Sequence, residues 1–166
     1  MISKKRLKAV TSLVPFMAAI LLGVMGASLV KITLNPVIVS GVSMSPTYKS
    51  GDILRSEAIS GKEDLTRGSV IVLRAENKKM IKRVIGLPGE TIQIIDGYLY
   101  INNTPDHSFD YAPIEAPGCV VQPLTLQVNE YFVMGDNRNK SNDSRDFGPV
   151  AYKNIKAKVT GTILVR

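Results

Sequence analysis

The chain predicts a mostly β protein, a compact antiparallel β domain behind a single N-terminal transmembrane helix. Three observations carry this. Residues 9–30 form a charge-free apolar stretch. Beyond it, short runs rich in Val, Ile and Tyr recur, separated by Gly, Pro, Asn or Asp. No long amphipathic helix interrupts them, and 166 residues with 45% apolar content supply one core rather than several.

Residues 1–8 hold Lys4, Lys5, Arg6 and Lys8 and read as a basic tail. As a helix, the stretch 9–30 is about 33 Å long, enough to cross a hydrocarbon layer of about 30 Å. Only Lys31 follows it closely, so the charge asymmetry keeps the N-terminus cytoplasmic and exports the rest. A removable signal peptide is the competing reading, with Gly26-Ala27-Ser28 as small residues near a cleavable end. The run exceeds the usual apolar region of about 7 to 15 residues, which favours a retained anchor. Residues 31–36 form a connector, and 37–166 form the extracytoplasmic β domain. Strands are predicted at 37–39, 53–55, 70–73, 80–85, 91–95, 98–101, 124–128, 131–134 and 159–165. Asp96-Gly97 marks a tight hairpin, and 152–156 suits a turn of helix.

The net charge of +7 raises a nucleic-acid reading. Four of the basic groups lie in the tail, however, and the body has no Lys/Arg stripe interleaved with aromatics, which argues against it and for an ordinary solvated face. The single cysteine, Cys119, excludes an intramolecular disulfide framework and a thiolate-rich zinc site. Its neighbours Ala116-Pro117-Gly118 offer neither a histidine nor the electropositive setting that a thiolate nucleophile needs.

Chemistry enters at Gly41-Val42-Ser43-Met44-Ser45-Pro46-Thr47, a polar turn after the apolar Val37-Ile38-Val39. It sets a hydroxyl where a strand stops. A serine oxygen needs a base to become a nucleophile. The one histidine, His107, lies in the polar Asn102-Asn103-Thr104-Pro105-Asp106-His107-Ser108 and reads as a surface imidazole. Lys82 is the alternative. It lies in the strand-like Met80-Ile81-Lys82-Arg83-Val84-Ile85, where strict alternation puts Met80 and Val84 on its face, and Ile81 and Arg83 on the other. A lysine amine near pKa 10.4 cannot take a proton at neutral pH, so desolvation among apolar neighbours must lower that value.

Two further blocks follow in order, Gly51-Asp52-Ile53 and Gly135-Asp136-Asn137-Arg138-Asn139-Lys140-Ser141-Asn142-Asp143-Ser144-Arg145-Asp146-Phe147-Gly148. Together the four blocks resemble the type I signal peptidase family, in its compact form without a large second domain. The resemblance implies a signal-peptidase-type β fold and a membrane-anchored serine endopeptidase that removes signal peptides from exported preproteins. It implies Ser43 as nucleophile, its backbone N–H as oxyanion donor and Lys82 as general base. Ser141 is expected to hydrogen-bond the Lys82 amine. Asp136 and Arg145 are expected to pair, with Asp143 in the same polar network. Gly41 falls where some relatives place a serine hydroxyl, Pro46 completes the Ser-Met-x-Pro pattern, and Met44 packs at the cleft, at a membrane-facing edge or as strand-end filler. Met80, Tyr48 and Glu90 depart from common residues of the family and bear on substrate fit.

No metal or organic cofactor is implied. The expected partners are signal-peptide-bearing preproteins and the lipid bilayer, with pilin or other surface-protein precursors as a specialised set. Two rivals remain. A pilus or surface-protein assembly factor of the same fold would bind without cutting, and would be expected to lose Ser43 or Lys82. A self-cleaving cytoplasmic repressor shares the chemistry but needs a DNA-binding domain where this chain has its apolar span.

Overall fold

The computed structural model describes residues 35–108 and 113–166. The predicted tail and anchor lie outside these. Among the described residues no helix is long and apolar enough to cross a membrane.

Among the described residues eleven strands build two sheets. They are β1 (Asn35–Ile38), β2 (Ile53–Ala58), β3 (Val70–Ala75), β4 (Lys78–Gly86), β5 (Thr91–Ile95), β6 (Tyr98–Ile101), β7 (Thr104–Pro105), β8 (Leu124–Thr125), β9 (Glu130–Met134), β10 (Val150–Ala151) and β11 (Ile155–Leu164). The larger sheet runs β1-β2-β11-β3-β4-β9-β10, and the smaller runs β7-β6-β5-β8. From β2 onward the pairings are antiparallel.

The apolar patterning explains the layering. β3 reads Val70-Ile71-Val72-Leu73 and is buried at all four positions, as a strand covered on both faces must be. Ile71 and Leu73 join a cluster with Val84, Tyr131, Val133 and Ile155. Val70 and Val72 face the other way, toward Val37, Val39, Met44, Leu54 and Val159. A third cluster fills the space against the small sheet, where Ile92, Ile94, Leu99 and Leu126 meet Ile85, Phe132 and Met134. β9 alternates between these cores, with Tyr131 and Val133 in one and Phe132 and Met134 in another.

The predicted hairpin forms as expected, with Asp96 at φ 50° and Gly97 at φ 82°, the pair of positive angles a two-residue turn demands. Other boundaries shift. β2 runs on to Ala58, and β11 starts at Ile155. The strand expected at 124–128 stops at Thr125, because Leu126 turns inward to the small-sheet core and its N–H donates to Glu90 O (2.8 Å) outside any ladder. The helical turn expected at 152–156 is a 3-10 turn, Tyr152–Asn154. One short helix, α1 (Ser144–Phe147), was not anticipated.

The two sheets meet at Gly86, the last residue of β4. A Cβ built there would lie 2.7 Å from Ile92 Cδ1 and 2.8 Å from Leu126 Cδ1, closer than side chains pack. Gly86→Ala is therefore expected to cost about 1–3 kcal/mol in urea unfolding. Ile92→Val, which removes the nearer methyl, should return part of that loss in the double variant. Equal losses with and without Ile92→Val would show that the close approach is not what selects glycine.

Candidate active site

Ser43 sits in a turn fastened at both ends. Ser45 N–H donates to Val42 O (3.1 Å) and Tyr48 N–H donates to Met44 O (2.9 Å). The peptide Ser45-Pro46 is cis. Next to the serine, Met44 is 1% exposed and packed in the core with Val39 and Leu54, so the side chain that follows Ser43 is an internal anchor. Gly41 N–H donates to Ser50 Oγ (3.3 Å).

The Gly51-Asp52-Ile53 block closes this loop from below. Val39 N–H donates to Asp52 O and Gly51 N–H to Val39 O, both 2.9 Å. The buried Asp52 carboxylate accepts from Arg166 N–H (2.9 Å) and Lys49 N–H (2.8 Å). Those two donors hold its carboxyl below the usual carboxylate range. The block is thus a clamp on the serine turn.

Lys82 comes from β4 and is 4% exposed. On one side it pairs with Ile71 of β3. On the other, the β4·β9 ladder begins only at Arg83, opposite Met134. β9 ends there, and the polar segment 135–148 takes the place of a neighbouring strand. Burial pushes the Lys82 amine below the ordinary lysine range; Asp143 pulls the opposite way, and Arg145 again lowers it.

The segment 135–148 is a charged network, and its pairing differs from the expected one. Asp136 does not pair with Arg145. It takes a two-pronged bond from Arg83, Nε to Oδ1 at 2.7 Å and Nη2 to Oδ2 at 2.6 Å, with both partners buried. Arg83 Nη1 also donates to Gly68 O (2.8 Å). Arg145 instead turns back on Asp143, with Nε to Oδ1 and Nη2 to Oδ2 both at 2.9 Å. The reason is local. Asp143 is the N-cap of α1, accepting from Arg145 N–H, while Asp146 accepts from Asp143 N–H (2.9 Å). The cap therefore brings Asp143 and Arg145 together, and the β4·β9 register brings Arg83 to Asp136. Asp143 Oδ2 also accepts from Gly135 N–H (2.9 Å), and Val133 N–H donates to Ser144 Oγ (3.0 Å).

This network grips the serine turn directly. Asn137 N–H donates to Ser43 O (3.0 Å) and Asn137 Nδ2 donates to Val42 O (3.2 Å). Gly135 lies so close that a Cβ there would overlap both Ser43 O and Ser141 Oγ, so no larger residue lets the two segments meet. The expected bond from Ser141 to the Lys82 amine is absent. Ser141 Oγ, turned against Gly135, is buried with no partner among the described residues.

Ser43 and Lys82 both line one open cleft of about 400 Å³. Its walls are residues 36–40 of β1 and the turn after it, and residues 79–82 of β4, with Met44 at the base. Ser141 lines a separate polar recess with Arg138 and Arg145. His107 is exposed, as expected of a surface imidazole. Cys119 lies exposed on a 3-10 turn, with its Sγ turned inward 3.2 Å from Ser144 O, and partial burial of that thiol raises its pKa, the opposite of an activated thiol. No cluster of metal-binding side chains occurs among the described residues. Sequence reasoning missed Arg83, Asn137 and the clamp role of Asp52. Arg83 carried a signal, a charge in the buried half of a strand.

The chain matches known proteins over most of its length. The family model described as "Signal peptidase, peptidase S26" matches residues 10–164. The chain is 34% identical to "Signal peptidase I" of Bacillus licheniformis, over 88% of this chain and 85% of that one. It is 37% identical to "Signal peptidase I V" of Bacillus subtilis (strain 168), over 70% and 78%. A crystal structure of a signal peptidase I from Enterococcus faecalis V583, 30% identical, covers 58% of this chain and 97% of that one with a TM-score of 0.48. On the family match and the extent of the curated relatives, the chain belongs to the signal peptidase family, peptidase S26, and is a hydrolase of that family.

Proposed function

We propose that the protein is a membrane-anchored serine endopeptidase that removes signal peptides from exported preproteins through a Ser43/Lys82 dyad. The observation that carries it is one cleft lined by a turn serine and by a lysine whose pKa burial lowers.

The neutral Lys82 amine takes the Ser43 hydroxyl proton as Oγ attacks the scissile carbonyl. The Ser43 backbone N–H faces the oxygen that becomes negative. The protonated amine then gives its proton to the leaving nitrogen, the mature protein departs, and an ester to Ser43 remains. Water attacks that ester with Lys82 again as base. Ser141 Oγ, buried without a partner among the described residues, is the group left for the amine to turn toward during the cycle. A hydroxyl suits that place, since it orients a neutral amine without raising its pKa as a carboxylate would.

The cleft runs between two extended segments, 36–40 and 79–82, and so suits an extended peptide. The stretch 9–30 supplies the anchor in this reading. It holds the cleft at the outer surface of the bilayer and raises the encounter concentration with membrane-bound preproteins. A non-cutting assembly role for pilin or other surface precursors is the weaker reading, because both dyad residues are retained in one cleft.

Two outcomes test this. The purified full chain should cut a preprotein at its signal-peptide junction, and Lys82→Ala should lower the rate by about 10²–10⁴-fold, the range for a lost general base. Ser43→Ala should abolish cutting, and both variants should keep wild-type thermal unfolding to within a few degrees. A wild-type rate no higher than either variant defeats the proposal. The second outcome concerns pH. Because the folded-state pKa of Lys82 is lowered, kcat/KM should rise with pH along a limb of unit slope whose midpoint lies below about 10.4, the ordinary lysine value. A midpoint at or above that value, or a flat profile, contradicts Lys82 as the base.

A further inference from the structure

The two peptide units flanking Ser43 are both held by one residue that none of the chemistry above uses. Asn137 N–H donates to Ser43 O at 3.0 Å, and its side-chain Nδ2 donates to Val42 O at 3.2 Å. A carbonyl oxygen can only accept, so the side-chain atom facing Val42 O is the amide nitrogen.

The Val42 carbonyl and the Ser43 N–H belong to the same peptide unit. That unit is planar and trans, so the oxygen and the hydrogen point in opposite directions, and fixing one fixes the other. We infer that Asn137 sets the direction of the Ser43 N–H by holding Val42 O, and thereby pre-aims the oxyanion donor. The inference rests on the reading of Ser43 as nucleophile.

Three observations support this role. Among the described residues no group accepts from the Ser43 N–H, which leaves it available to a bound substrate. Among the described residues the only other donor to Val42 O is Ser45 N–H (3.1 Å). That bond closes the turn from within but does not tie it to the rest of the domain. Asn137 does tie it, and is itself fixed: Asp136 before it is locked to Arg83, and Lys140 N–H donates to Asn137 O (3.0 Å). The chain from β4 through Arg83, Asp136 and Asn137 therefore ends on the donor that receives the developing negative charge. An oxyanion donor works without reorganisation only if its direction is set before the charge appears.

The residue type follows from the same geometry. Aspartate has the shape of asparagine but no N–H, and would set an anion against the Val42 oxygen. The backbone bond from residue 137 to Ser43 O is open to both alanine and aspartate, so the turn stays docked while the side-chain bond is lost.

The test compares wild type with Asn137→Ala and Asn137→Asp in the full chain. It measures kcat and KM on a signal-peptide substrate, and inhibition by a peptide aldehyde of the same sequence, whose carbonyl becomes tetrahedral on Ser43. Losing an oxyanion donor outright costs about 10²–10³-fold. Misaiming one should lower kcat by about 10- to 100-fold, with KM within about twofold of wild type and aldehyde affinity falling by the same factor as kcat. Asp should be at least as damaging as Ala. The inference is overturned if Asn137→Asp keeps wild-type kcat, if kcat falls while aldehyde affinity is kept, or if only KM rises. Rates are taken below the unfolding midpoint of each variant, so lost folding is not scored as lost catalysis. If the dyad reading itself is wrong, Ser43→Ala still cuts and the aldehyde does not inhibit wild type. If only this inference is wrong, Ser43→Ala is inactive and the Asn137 variants are not.

Discussion

A buried amine keeps its low pKa only if no free carboxylate stands beside it, and the site depends on that constraint. Full burial can lower a lysine pKa by up to about 3–5 units. One unpaired carboxylate about 4 Å away, at an effective dielectric constant near 20, is worth about 4 kcal/mol, roughly three units in the other direction. Asp143, Asp146 and Asp136 all pull the Lys82 pKa upward. Asp143 and Asp136 are each held by an arginine, Arg145 and Arg83, and Asp146 is exposed to solvent, which screens it. The arginines thus keep two carboxylates from serving as counter-ions to the lysine, and desolvation prevails.

The fold delivers the parts of the site from three directions. β4 supplies Lys82 where its partner β9 ends. The serine turn is set by Met44, whose side chain is buried in the core beside Val39 and Leu54. The segment after β9 reaches both, because Gly135 lets it approach Ser43 O and Ser141 Oγ without a side chain between them. Breaking a buried ion pair by removing one partner costs about 3–5 kcal/mol, so the Arg83/Asp136 pair, one residue along the strand from Lys82, is costly to alter.

Much of this was legible in the sequence. β3 and β4 announced themselves as apolar runs, and Asp96-Gly97 named its own turn. Ser43 and Lys82, singled out by their motifs, line one cleft. What was not legible has physical causes. β7 and β10 are two residues each and have no period to read. α1 has four residues and is held by its Asp143 cap and Asp146 rather than by an apolar stripe. The partner of Asp136 is 53 residues away in sequence and is chosen by strand register, which no local pattern encodes. The Asp143/Arg145 pair is a cap contact two residues apart, hidden within a run of polar residues. Ser141 was expected to face the lysine and instead lies against Gly135.

The account stands on the charge state of one amine. The most direct measurement is an NMR titration of the Lys82 side chain in the full chain, with lysine labelled at Cε and Nζ and Lys82→Met used to assign its signal. The amine should lose its proton well below the surface lysines, and Asp136→Asn, which removes a carboxylate that pulls the amine's pKa up, should not raise that midpoint. An amine that titrates together with the surface lysines would contradict the account.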